Sequence, residues 1–209
     1  MEKKLIVTWL GHSCFKIQYG DYTMVIDPYK DRMVPGLSPL RVEADEVFTS
    51  HNHDDHGYVQ AVTLRKPAAT SPFKVTKVRC HHDDVDGKKR GHNDIHVFEG
   101  EGLRFAHFGD IGEELDWQQM EELKSLDVAM IPVGGFFTIG PPEAKALIAQ
   151  IRPRVVIPMH YRTEDFGFDA IADIRDFITL CDDVKKYDSD TIEVTKETEK
   201  QTALLKYGK

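Results

Sequence analysis

The six residues His51-Asn52-His53-Asp54-Asp55-His56 carry three imidazoles and two carboxylates in one short run. Neutral imidazole and carboxylate oxygen are donors that Zn²⁺ accepts. His51 and His53, two residues apart, share one side of an extended segment. Asp55 and His56 then have to swing the other way, so the spacing asks for two metal positions rather than one. The chain has ten histidines, and a polar surface loop does not usually gather them in this way.

Other candidate donors are remote along the chain. Asp110 follows an apolar stretch and Gly109, which would bring its carboxylate out at a sheet edge; alone, it could equally cap a helix starting near Glu113. His160 closes an apolar stretch after Pro158, where a lone histidine would be an ordinary core residue. His81 and His82 are adjacent, so on a strand only one of them can face a metal. His12 and His107 fall at expected strand ends and could support the ligands, and His12 could equally face a substrate. Tyr161 adjoins His160 and could donate a proton to a substrate oxygen or simply pack. Lys88-Lys89-Arg90 is a solvated turn or a phosphate contact, and Phe136-Phe137 is an apolar cleft wall or core.

The elements that must position these groups are legible from periodicity and turn residues. Strands are expected at 4–10, 15–19, 22–26, 46–49, 74–80, 95–99, 103–107, 128–133, 154–158 and 191–195, the last as an edge strand. Gly20-Asp21 marks a hairpin, and Gly100 and Gly102 mark a second. Helices are expected at 58–64, 113–124, 143–150 and 168–180, with Pro141-Pro142 opening the third. Residues 29–45 read as loop and the Lys- and Glu-rich tail 196–209 as solvated surface. β-structure first, then alternating helix and strand, predicts a mixed α/β layering in a single domain spanning residues 1–209.

Composition narrows the function classes. Apolar residues make up 41% and charged residues 30%, enough for a full core. The net charge of −8, with no marked Lys/Arg cluster, argues against a nucleic-acid partner. No segment reaches the ~20 apolar residues of a membrane helix, and the apolar run at the N-terminus is short for a secretory signal. A cytoplasmic protein acting on a small molecule is the expectation. Cys14, Cys80 and Cys181 form no C-x-x-C pair and read as free thiols, and no nucleotide-binding glycine motif occurs.

His51-Asn-His53-Asp-Asp55-His56 fits H-x-H-x-D-H of the metallo-β-lactamase superfamily, which the chain resembles along most of its length. Trp9-Leu-Gly-His12-Ser-Cys-Phe15, His82-Asp83 with Gly87, Arg90-Gly91 and Asn93, His107-Phe-Gly-Asp110, Pro132-Val-Gly-Gly135, Thr138–Ala144 and Ile157-Pro-Met-His160-Tyr161 follow in the family's order. They are most similar to the branch holding L-ascorbate-6-phosphate lactonase and N-acylphosphatidylethanolamine phospholipase D. The resemblance implies a four-layer αβ/βα sandwich with two divalent metal ions at one edge of two sheets. It implies His51, His53 and His82 on the first ion and Asp55, His56 and His160 on the second, bridged by Asp110. Family spacing selects His82 over His81. His107 and Tyr161 would stand behind the ligands.

Two divalent ions ~3.5–4 Å apart hold a bridging water and lower its pKa towards ~7, which supplies hydroxide at neutral pH. The expected activity is metal-dependent hydrolysis of an ester, lactone or phosphodiester bond, with Asp55 orienting the attacking water and His12 near the substrate. Zn²⁺ leads for this mixture of nitrogen and oxygen donors, with Mn²⁺ or Fe²⁺ as alternatives. The rival expectation keeps the metals on the same fold without hydrolysis, as a metal-binding or di-iron redox protein. True β-lactamase action is disfavoured by the short apolar run at the N-terminus.

Overall fold

Two β-sheets face each other across one apolar core in the computed structural model, which describes residues 4–208. The chain opens with β1 (Leu5–Gly11), β2 (Cys14–Tyr19) and β3 (Tyr22–Ile26), an antiparallel meander. β4 (Val42–Ala44) and β6 (Val62–Leu64) form a separate parallel pair, while β5 (Glu46–Phe48) runs parallel to β3. β7 (Lys74–His81), β8 (His92–Gly100) and β9 (Leu103–His107) make a second meander. Helix α1 (Trp117–Glu121), β10 (Val128–Pro132), α2 (Pro141–Ile151), β11 (Val155–Met159) and α3 (Ile174–Ile178) follow. The chain ends with β12 (Val184–Lys186), β13 (Thr191–Val194) and β14 (Gln201–Leu204).

The sheet orders are β13-β1-β2-β3-β5 and β12-β14-β11-β10-β9-β8-β7. Phe15, Ile17, Met24 and Ile26 alternate inwards into the same core as Phe98 and Phe105 of the other sheet. Cys14 and Val25, of opposite parity, face outwards under Tyr29, Val34, Leu40 and the β4–β6 pair. The parallel strands β10 and β11 are buried along their whole length, as continuous apolar runs require. Ala144, Leu147 and Ile151 give α2 one apolar stripe, Pro141 and Pro142 sit where a helix needs no N–H, and Arg152 in a left-handed conformation ends it.

Strand direction decides where the chemistry can be. β1 and β3 are each antiparallel to β2, and β5 is parallel to β3, so these three end at one edge. β7 and β9 are each antiparallel to β8, and β9, β10 and β11 are mutually parallel, so these four end together as well. The two edges meet, because the His160 backbone N–H donates to the His12 carbonyl at 3.3 Å and that of Asp94 to the Ser50 carbonyl at 2.9 Å. His12, Asp27, the 50–56 loop, His82, Asp110, Gly134 and His160 all leave these strand ends.

Several elements differ from the sequence expectation. Residues 58–64 form a 3₁₀ turn at Val59–Ala61 and then β6, because pairing with β4 inside the supposed loop captures β-branched Val62 and Thr63. The helices expected at 113–124 and 168–180 shrink to α1 and α3. Asp116 and Asp173 cap them at the N-terminus, and residues 171 and 172 are held by backbone bonds to Phe168 and Gly134. The tail is not all solvated surface: Gln201, Thr202 and Ala203 are buried in β14 between β12 and β11. The charged residues flanking this short segment dominate its composition and hide a strand that needs neighbours on both sides.

His96 on β8 lies buried beside Phe48 and Phe98, and burial lowers its pKa to about 4. An unfolded chain titrates its histidines near 6.5, so between about pH 6.5 and 4 the unfolded state takes up a proton that the folded state refuses. Stability therefore falls as the pH drops through that window. We expect His96→Phe to flatten this part of the pH dependence of the urea midpoint; an unchanged slope would contradict the assignment.

Candidate metal centre

Asp27 organises the site from below. Its φ of +50° turns the chain sharply after β3 and sends the carboxylate into the interior, where it is fully buried. It accepts from the Ser50 N–H at 2.6 Å, the Ser50 hydroxyl at 2.6 Å and His56 Nδ1 at 2.7 Å. Burial pushes its pKa up, but His107, His56 and His51 outweigh this and hold the carboxyl down at about 2. The Ser50 hydroxyl gives its only proton to Asp27, so at 2.9 Å it accepts from His51 Nδ1–H. Both histidines are thereby fixed as tautomers with a bare Nε2.

Those bare nitrogens have no protein partner. His51 Nε2, His56 Nε2, His82 Nδ1, both nitrogens of His160 and Asp110 Oδ1 are buried without a hydrogen bond. Each such atom costs about 1–3 kcal/mol when nothing satisfies it. Asp110 lies in their midst: one oxygen is 3.2 Å from His56 Nε2, the other 3.4 Å from His82 Nε2 and 3.2 Å from His160 Nε2. Burial alone would raise its pKa, yet His160 and His56 hold it well below the ordinary carboxylate range. Asn93 fixes Asp110 in place, its Oδ1 accepting the Asp110 N–H at 2.8 Å while its Nδ2 donates to the Phe108 carbonyl at 2.9 Å. Gly109 is obligatory here, since a Cβ would lie 2.2 Å from Asn93 Oδ1 at a φ of +53°.

Donor atoms within 4.8 Å of one another form three overlapping sets: His51, His53 and His82; His51, His56 and Asp110; and Asp55, His56 and His160 with His12. The first matches the trio the resemblance assigns to one ion, and the last holds the trio assigned to the other. This donor set fits divalent metal ions: imidazole nitrogens, two carboxylates and, among the described residues, no Lys or Arg paired with either carboxylate. Burial lowers the pKa of His51 to about 3 and of His12 to about 4, so both are neutral donors at pH 7. Burial would lower the pKa of His56 too, but Asp110, Asp55 and Asp27 raise it well above the ordinary value, which marks this point as one that attracts positive charge.

His12 comes closer to the donors than its sequence position suggested. Its left-handed turn (φ +51°) puts Nε2 3.3 Å from Asp55 Oδ2 and its ring 4.1 Å from that of His160. His107 stands one layer back: Nδ1 accepts the Gly109 N–H at 3.2 Å, Nε2–H donates to the Ser13 carbonyl at 2.8 Å, and Asp27 lies 3.8 Å away. His81 turns the other way, donating from Nδ1 to Glu113 at 2.7 Å. Tyr161 is not brought to the ligands. The φ of +53° at His160 reverses the chain, and the buried Tyr161 ring packs on Trp9 at 5.3 Å and Phe166 at 6.0 Å. Asp27, Ser50 and Asn93 are the supporting residues that reading the sequence missed. Asp27-Pro28 reads only as a strand end; the parallel pairing of β3 with β5, which brings Asp27 beside Ser50, is decided by the tertiary structure.

The profile of the Beta-lactamase superfamily domain matches residues 6–160. A UPF0173 metal-dependent hydrolase of Thermococcus onnurineus is 30% identical, the match covering 75% of this chain and 84% of the relative. The crystal structure of a protein from Thermotoga maritima assigned as a Zn-dependent hydrolase of the metallo-β-lactamase superfamily superposes with a TM-score of 0.74 at 31% identity, covering 96% of this chain and 98% of that one. A metallo hydrolase of Ignicoccus hospitalis shares the fold, with a TM-score of 0.65 at 20% identity over 92% of this chain and 99% of that one.

Asn tolerates the left-handed backbone of position 27, so Asp27→Asn tests the carboxylate alone. We expect it to fold normally and to lose about 10–100-fold in metal affinity, measured by metal content after dialysis against buffered Zn²⁺. Wild-type retention of metal would refute the role given to Asp27.

Proposed function

The chain belongs to the metallo-β-lactamase superfamily, and we propose that it is a hydrolase using two divalent ions, Zn²⁺ foremost, to cleave an ester, lactone or phosphodiester bond of a small metabolite. The coarser reading, a metal-dependent hydrolase of this superfamily, follows from its relatives. The finer one rests on a single observation: the Asp110 carboxylate lies between the Nε2 atoms of His56, His82 and His160. A carboxylate so placed can face two cations at once. His51, His53 and His82 would hold one ion, Asp55, His56 and His160 the other.

Bound there, the pair of ions supplies Lewis acidity towards the oxygen under attack and lowers the pKa of water enough for it to act as nucleophile near neutral pH. The chain's own side chains supply position and proton handling. Asp55 is partly accessible, and neighbouring His56 and His12 outweigh its burial to keep it ionised, so it can orient an attacking water by accepting its hydrogen bond. His12, neutral and 3.3 Å from Asp55, fixes that carboxylate. The bond to Asp27 keeps His56 Nε2 aimed inwards throughout.

Asp110→Asn should lower turnover by about two orders of magnitude or more while leaving the circular-dichroism spectrum unchanged. The measurement is a panel of generic lactones, phosphodiesters and esters, with and without chelator. At least one class should be turned over by the wild type, lost on chelation and regained with Zn²⁺. No chelator-sensitive turnover in any class, or full activity in the variant, would remove the reading.

A further inference from the structure

Beside the donor cluster opens a cavity of about 670 Å³ between the 83–91 loop and the 135–140 loop. Its inner wall begins directly after two of the ligands, at Asp83 following His82 and at Gly112 two residues past Asp110. Phe137 lines the cavity and is near both groups, its ring centre 6.3 Å from that of His160 and 5.4 Å from the Arg90 guanidinium carbon. Arg90 is half-buried.

The basic run 88–90 is uneven in its partners. Lys88 pairs with Asp86 at 2.9 Å and Lys89 with Asp84 at 3.5 Å, both at the surface. Arg90 has no carboxylate within ion-pair distance among the described residues; only its backbone N–H is engaged, by Asp83. That carboxylate accepts from four backbone N–H groups, of Val85, Gly87, Lys89 and Arg90, so it is spent on folding the loop and not on the guanidinium. A half-buried guanidinium laid over an aromatic face, with its fork of donors free, is suited to a planar or tetrahedral anion.

We propose that this cavity is the substrate-recognition subsite and that it takes a small organic anion, a carboxylate or phosphate monoester, held by Arg90 with its apolar body against Phe136 and Phe137. Phe136 is 66% exposed at a φ of +59°, a backbone strain that holds an apolar ring out on the rim instead of in the core. Lys89 also lines the cavity but is paired with Asp84, and Glu113, Glu114 and Glu143 make the rest of the wall acidic, so Arg90 is the cation left for an anion and an extended polyanion is repelled. The proposal rests on the hydrolase reading and specifies its substrate class: the anchoring anion sits on Arg90 while the scissile bond reaches past Phe137 to the cluster.

Binding can be tested without turnover. Calorimetric titration of the metal-loaded protein with phenylphosphonate, benzoate and neutral benzyl alcohol is expected to show binding of one or both anions and none of the alcohol. Arg90→Met should weaken the bound anion about tenfold or more, Arg90→Lys should recover part of the loss, and Asp110→Asn should keep it. The tighter of the two anions identifies the substrate's charged group. Binding unchanged by Arg90→Met, binding lost only in Asp110→Asn, or no anion binding at all would each overturn the subsite. Because none of these readouts needs hydrolysis, failure of the subsite is distinguishable from failure of the hydrolase reading.

Discussion

Buried carboxylates facing bare imidazole nitrogens are the constraint around which the molecule is arranged. Asp27 and Asp110 are drawn into an interior where a lone charge is costly, Asp55 lies partly accessible at its edge, and among the described residues each pairs with histidine rather than with Lys or Arg. Histidine leaves a lone pair where a protonated cation would leave none. The protein therefore keeps a negative, nitrogen-rich hollow that a divalent cation would complete. Asp27 is the keystone, because one carboxylate sets the tautomer of His56 directly and that of His51 through Ser50.

Holding such a hollow open requires a scaffold that does not relax into it. The two sheets provide one by bringing seven strand ends to a common edge, with buried Phe15, Phe98 and Phe105 between them. Left-handed turns recur at the same edge: His12, Asp27, Gly109 and His160 all have positive φ. Gly134 lets the chain pass so close to His160 that a Cβ would lie 2.0 Å from its carbonyl oxygen. These turns convert strands pointing past one another into side chains pointing at one another.

A single aromatic ring is near both the donor cluster and the neighbouring cavity. Phe137 lies 6.3 Å from the His160 imidazole and 5.4 Å from the Arg90 guanidinium carbon, so the loop following β10 borders both. The 83–91 loop is equally shared, since His82 starts it and Arg90 closes it. Changes in either loop can alter what is bound without disturbing the β9 and β11 ends that carry Asp110 and His160.

The sequence by itself determined the candidate donor chemistry and most of the strands. His51–His56 announces a set of metal donors through its density, and the apolar runs of β10 and β11 announce buried strands, because both signals are local. The tertiary structure alone decided which groups stand behind the donors. Asp27 looked like a strand terminus, Asn93 like a motif filler and Tyr161 like a neighbour of His160, and only the parallel strand ends and the left-handed turns show which of them face the cluster. The same reason hid β14 and the β4–β6 pair. A strand of three or four residues has no periodicity to read, and it exists because partners far along the chain offer it hydrogen bonds.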